Sequence, residues 1–138
     1  MKNTELKEMR DKALYEVYVK CLSTGSFSSQ SELAEHASKQ PAPQFFIESH
    51  TLSLIFGMIE SNISLIGLNS MSRKRAWDLY ENYLRWKELN PGSSLSRERI
   101  CELLVEEQAP EFYMESETAR KIIQKMCKKK RNSFTALI

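Results

Sequence analysis

The densest concentration of chemically capable side chains lies toward the C-terminus. Residues 117–138 carry Arg120, Lys121, Lys125, Lys128, Lys129, Lys130 and Arg131 against Glu117 alone, a net +6. The rest of the chain holds 13 basic and 17 acidic residues, a net −4. Clustered lysines and arginines neutralise phosphates, and so point to nucleic acid. Arg73, Lys74 and Arg75 form a second, smaller basic cluster. Gln124 lies among the C-terminal cations, and its amide pairs with adenine as an arginine does with guanine. The candidate DNA-binding set is therefore Arg73, Lys74, Arg75, Arg120, Lys121, Gln124, Lys125, Lys128, Lys129, Lys130 and Arg131. Two other readings stay open: a solubilising basic end, and a protein-interaction or structural assembly module with no nucleic-acid role, whose basic end meets an acidic protein surface.

Catalytic chemistry finds no comparable cluster. There is no Gly-rich phosphate loop, no GxSxG and no HExxH. The two histidines, His36 and His50, stand singly, without a Cys or carboxylate at metal-ligand spacing. Cys21, Cys101 and Cys127 are odd in number and far apart, which indicates neither a disulfide framework nor a zinc site. The glutamates at 98, 102, 106, 107 and 111 read as a solvated face. The expectation is a protein that is not an enzyme, with no metal and no cofactor.

The scaffold that positions the basic residues is helical. The chain has 138 residues, 41% hydrophobic and 28% charged, which is enough apolar material for a core. Leu, Glu and Lys number 15, 16 and 12 against 3 Val, a composition that favours helices over a β-sandwich or barrel. No apolar run reaches the length of a membrane span, and no apolar stretch follows Lys2. A reducing, cytoplasmic setting is expected, with no membrane partner.

The sequence repeats itself. Leu14-Tyr15-Glu16-Val17-Tyr18-Val19-Lys20 returns as Leu79-Tyr80-Glu81-Asn82-Tyr83-Leu84-Arg85, 65 positions on. Ala42-Pro43-Gln44-Phe45-Phe46-Ile47-Glu48-Ser49 returns as Ala109-Pro110-Glu111-Phe112-Tyr113-Met114-Glu115-Ser116, 67 positions on. The change of offset fits an insertion at Asn90-Pro91-Gly92-Ser93, a loop by composition. The reading is all-α: an internal duplication of a three-helix, helix-turn-helix-like unit with an extended Pro-aromatic connector in each copy. The first repeat is placed at 1–60, an apolar connecting segment at 61–71, the second repeat at 72–131 and a tail at 132–138.

Within each copy the spacing predicts three helices. Leu6, Met9, Ala13, Val17 and Cys21 mark the first, from about Thr4 to Leu22. Its counterpart starts near Ser72 and carries Trp77, Tyr80, Leu84 and Trp86. Second helices start at Ser29, with Glu32 completing a capping box, and at Ser96. Leu33, Ala34 and Ala37 are the expected buried face of the first of these, and Ile100, Cys101, Leu103, Leu104 and Val105 that of the second. The prolines then stop the helix, and at least one ring of each pair, Phe45-Phe46 and Phe112-Tyr113, is expected in the core. Ser49 and Ser116 are the expected caps of the third helices. Residues 52–59 are apolar nearly all round and predict burial between the copies, or a protein partner or homodimer. Ala119, Ile122, Ile123, Met126 and Cys127 instead form one stripe, with the basic residues opposite.

A three-helix unit with a basic third helix resembles helix-turn-helix DNA-binding domains, and two in tandem resemble readers of the homeodomain or Myb kind. Those families join helices two and three by a short turn, often with Gly, whereas residues 38–48 here are longer and contain none. The repeated Ala-Pro-x-Phe-aromatic element is also similar to one in small proteins of gut Bacteroidales, their mobile elements and phages. That resemblance implies a bacterial or phage setting, and a regulatory or DNA-handling role follows from the DNA-binding reading.

Overall fold

A computed structural model describes residues 3–136, with side chains to residue 131. Six helices are present among the described residues: α1 (Asn3–Thr24), α2 (Gln30–Ser38), α3 (Ser49–Glu60), α4 (Ser70–Leu89), α5 (Arg97–Val105) and α6 (Ser116–Ala136). The extended pairing is a single antiparallel bridge between Ala42 and Ala109. Helix α6 takes in residues 132–136 of the expected tail, and residues 137–138 lie outside the described residues.

Local chemistry explains most helix starts. Ser29 and Ser96 cap α2 and α5 by accepting from the backbone N–H of Glu32 and Arg99. Glu32 also accepts from the Ser28 N–H, closing the far side of the turn. The start of α4 lies earlier than expected, because Asn69 accepts from the Ser72 N–H and takes the cap role assigned to Ser72. Ser49 is likewise the first residue of α3 rather than its cap. Glu48 occupies the cap position, without a side-chain bond.

The helices do not group as chain order suggests. Helix α6 packs on α1 and α2, while α3 packs on α4 and α5. Each third helix therefore completes the three-helix layer of the other half. The connectors between α2 and α3 and between α5 and α6 route the chain this way. They cross antiparallel, with Ala42 and Ala109 donating to one another's carbonyls at 2.9 Å. Phe45 N–H donates to the Val105 carbonyl and Phe112 N–H to the Ser38 carbonyl, both at 3.0 Å. Every bond in this set has a mirror bond 67 positions away. The prolines keep each connector extended, so the chain crosses to the far side instead of turning back on its own second helix.

Phe46 and Tyr113, also 67 positions apart, both adopt positive φ, at 45° and 53°. That left-handed conformation is costly for non-glycine residues. It redirects the chain into α3 and α6 just after the crossing. The rings stack across it, Phe45 with Tyr113 and Phe46 with Phe112. Phe45 and Phe112 are buried as expected, and Tyr113 is buried as well.

One core runs through both layers, and its members match in pairs. Leu14 and Leu79 are fully buried, as are Leu52 and Ala119, and Phe56 and Ile123. Tyr18 and Tyr83 are buried, whereas Tyr15 and Tyr80 are only partly so. The first helices pack Leu6, Ala13, Val17, Cys21, Tyr80 and Trp86 against the core as expected, but the centre of the buried face lies elsewhere. In α1 the core residues are Leu6, Leu14 and Tyr18, and Met9 is exposed. In α4 they are Ala76, Leu79 and Tyr83, which leaves Trp77 and Leu84 outside. The second helices bury Leu33, Ala34 and Ala37 and, in the other half, Ile100, Cys101 and Leu104, while Leu103 is exposed. Of the joining segment, Leu65 is buried but Ile63 and Ile66 face outward.

Candidate nucleic-acid interface

Helix α6 forms because Ala119, Ile122 and Ile123 bury on one side against α1 and α2, with Met126 and Cys127 half-buried beside them. At 3.6 residues per turn the opposite side is then Lys121, Gln124, Lys125 and Lys128, at spacings of three and four. All four are exposed, and Lys129 flanks them. The lysines at 121, 125, 128 and 129 make no hydrogen bond or ion pair among the described residues. Cations in the later turns also complement the negative end of the helix dipole, which helps α6 hold its charge.

The other members of the candidate set are placed differently. Arg120 is tied to Glu117 one turn earlier, and that bond holds the Glu117 carboxyl below its ordinary range. Lys130 turns to the inner flank, its ammonium 6.0 Å from the centre of the Tyr15 ring. Arg131 is exposed and borders a hollow shared with Gln30, Gln124, Cys127 and Lys128.

The cluster at 73–75 is divided three ways. Lys74 donates to Glu111 Oε2 at 2.5 Å, and this bond raises the ammonium's pKa. Arg75 is largely enclosed, and burial, followed by the charge of Arg10, lowers its pKa. Arg75 Nε and Glu111 Oε1 are buried without hydrogen-bond partners among the described residues. Arg73 lies beside Trp77 on the outside of α4. Helix α4 does not pack on α6, so Arg73, Lys74 and Arg75 do not extend the α6 face. What they border instead is the second connector, where Tyr113 donates to Asp78 Oδ2 at 2.6 Å and Ser70 to Glu115 at 3.2 Å. Burial and the Asp78 bond both push the Tyr113 hydroxyl pKa far up.

The groups most capable of catalysis have structural surroundings. Burial pushes the Cys101 thiol up to about 11, which keeps it neutral. His36 lies against the Phe27 ring. Packing of α3 on α5 brings Glu98 within 3.2 Å of His50 Nδ1, a pairing that chain spacing does not reveal. No group of three His, Cys, Asp or Glu side chains suited to a metal ion occurs among the described residues. No helix among them is long and apolar enough to cross a membrane.

Compared with family models, curated proteins and solved structures, the chain matches none.

The apolar residues of 52–59 are mostly covered from within. Leu52, Ile55 and Phe56 are buried, with Phe56 against the Tyr80 and Tyr83 rings of α4. Leu54 alone of this segment's large side chains points fully outward. Arg97, which sequence reasoning did not single out, lies along the outer side of α3. It donates to Ser53 Oγ at 3.2 Å and to Glu60 Oε1 at 2.9 Å. Its guanidinium passes so close to Gly57 that a Cβ there would sit 3.2 Å from Nη2.

Proposed function

We propose that the chain is a non-catalytic DNA-binding protein that presents the outer face of α6 to phosphates. One observation carries the reading: Lys121, Lys125, Lys128 and Lys129 lie exposed on one helix and form no salt bridge among the described residues. In this reading they supply sequence-independent attraction, and Gln124, within the same stripe, is the group able to reach a base edge. A regulatory or DNA-handling role follows from such binding, and the resemblance of the repeated connector points to a bacterium, mobile element or phage as its setting.

The architecture beneath this site is, in the same proposal, a duplicated three-helix unit whose third helices have changed places. Support comes from the reciprocal bonds at 42/109, 45/105 and 112/38 and from the matched positive φ at Phe46 and Tyr113. The exchange answers the absence of a short turn after the second helix. Helices α2 and α6 still pack together, although they are distant in sequence.

The test is anisotropy of a fluorescent random duplex titrated with the protein across a salt series. Four phosphate contacts predict a slope of log K on log salt of about −3.6. Absence of binding at low salt defeats the DNA reading and turns attention to an acidic protein surface.

A further inference from the structure

Helix α4 spends Ala76, Leu79 and Tyr83 on the core, and its opposite side carries a stripe of a different kind. Arg73, Trp77, Glu81, Leu84 and Glu88 recur at spacings of three and four and share one face. Trp77 is 49% exposed and Leu84 43% exposed, a large apolar area for an outer helix face. The stripe is bounded by a cation four residues before the tryptophan and an anion four residues after the leucine. Neither Arg73 nor Glu88 is in an ion pair among the described residues.

The outer positions of this pattern are complementary to their own reverse, while Glu81 at its centre falls beside Glu81 of the second copy, a like-charge contact that the outer four must outweigh. Laid antiparallel about the midpoint between Tyr80 and Glu81, two copies of α4 oppose Arg73 to Glu88 and Trp77 to Leu84, twice over. An isologous two-fold interface has this property: residue i meets residue j, and j meets i. The related positions of α1 are Glu8, Lys12, Glu16, Val19 and Ser23, which lack both the aromatic anchor and the reverse symmetry.

Next to Arg73 and Trp77 lies a groove of about 420 Å³, lined also by Ile59, Ile63 and Ile66. Antiparallel pairing brings the last turn of the second α4 to this groove. Leu89, 74% exposed, is the apolar side chain in that turn.

We infer that the outer face of α4 is a homodimer surface, taking α4 of a second copy antiparallel through Arg73–Glu88 and Trp77–Leu84 contacts. This surface is separate from the α6 face, and of residues 52–59 only Ile59 borders it. It gives Arg73 a carboxylate partner in place of a phosphate.

Sedimentation equilibrium of the full chain over a concentration series tests it. The expected mass at the upper end is twice the 16.1 kDa of one chain. Arg73→Glu and Glu88→Arg alone each place like charges together twice per dimer, and each should weaken association about tenfold or more. The double variant R73E/E88R re-forms both pairs with signs exchanged and should recover most of the loss. Far-UV circular dichroism checks that all three stay folded, as expected for a half-buried Arg73 and an exposed Glu88. A monomer at every concentration, a dimer indifferent to either single reversal, or a double variant no better than the singles would each overturn the inference.

Discussion

Helices α3 and α6 occupy matching places in the two layers and present opposite chemistry to solvent. Their inner faces agree position by position: Leu52 with Ala119, Ile55 with Ile122 and Phe56 with Ile123 are all buried. Their outer faces do not. Leu54, Gly57, Met58 and Ser61 stand where α6 carries Lys121, Gln124, Lys125 and Lys128. Arg97 lies along α3, whereas the matching position beside α6 is Gln30, which reaches Tyr18 and Cys127. Core packing constrains only one side of an amphipathic helix and leaves the other free to change. In the proposed scheme one layer turned that freedom to charge and the other did not.

The comparison breaks hardest at the core. Phe56→Ala removes a fully buried ring held against Tyr80 and Tyr83, and should destabilise the fold by about 3–5 kcal/mol. Ile123→Ala at the matching place should cost about 2–5 kcal/mol. Urea unfolding followed by circular dichroism reads both. If the layers share one core, both variants shift a single transition, and two separated transitions would contradict that.

Function should break on one side only. Lys121→Glu with Lys125→Glu should reduce the salt slope of DNA binding by at least about 2 and leave stability within about 0.5 kcal/mol. Anisotropy and urea unfolding on the same variant separate the two effects. The reciprocal variant, Leu54→Lys with Ser61→Lys, transfers part of the basic face to two exposed positions, one on α3 and one at its C-cap. It should strengthen binding and steepen the slope, but only if a basic face in this setting suffices.

How much of this could be read from the sequence differs by element. The α6 face was legible, because Ala119, Ile122, Ile123, Met126 and Cys127 form one stripe and the cations fall opposite. The core face of α1 was not. Apolar residues surround that helix, so Met9, Ala13 and Val17 offer a periodic stripe as good as the true one through Leu14 and Tyr18. In α4 the large residues Trp77 and Leu84 drew attention from Ala76, whose small size is what allows close packing. The connectors were legible as extended segments with a core aromatic. Their crossing was not, since Pro43 and Pro110 set local geometry without naming the helix that receives the chain. Position in sequence also gave Lys74, Arg75 and Lys130 the same standing as Lys121. Only packing reveals that Glu111, the protein interior and the Tyr15 ring engage them.

The finest distinction between the layers concerns their thiols. Ala34 in α2 is matched by Cys101 in α5, and both are fully buried. Burial raises the Cys101 pKa to about 11 from an ordinary 9.0, so its neutral form is favoured by folding. The sign follows from a raised folded-state value: this stabilisation is complete below pH 9 and is lost as pH rises from 9 to about 11. Cys21 and Cys127 are only half-buried. Ellman's reagent at pH 8 should therefore modify Cys21 and Cys127 first, and Cys101 only at the rate at which the α4–α5 layer opens. Rapid reaction of Cys101 in the native protein would mean that this layer is looser than its packing indicates. Cys101→Ala makes the two layers alike at this position. It should lower stability slightly through lost packing while removing the Cys101 share of the alkaline sensitivity between pH 9 and 11, with the Tyr113 share above pH 10 remaining.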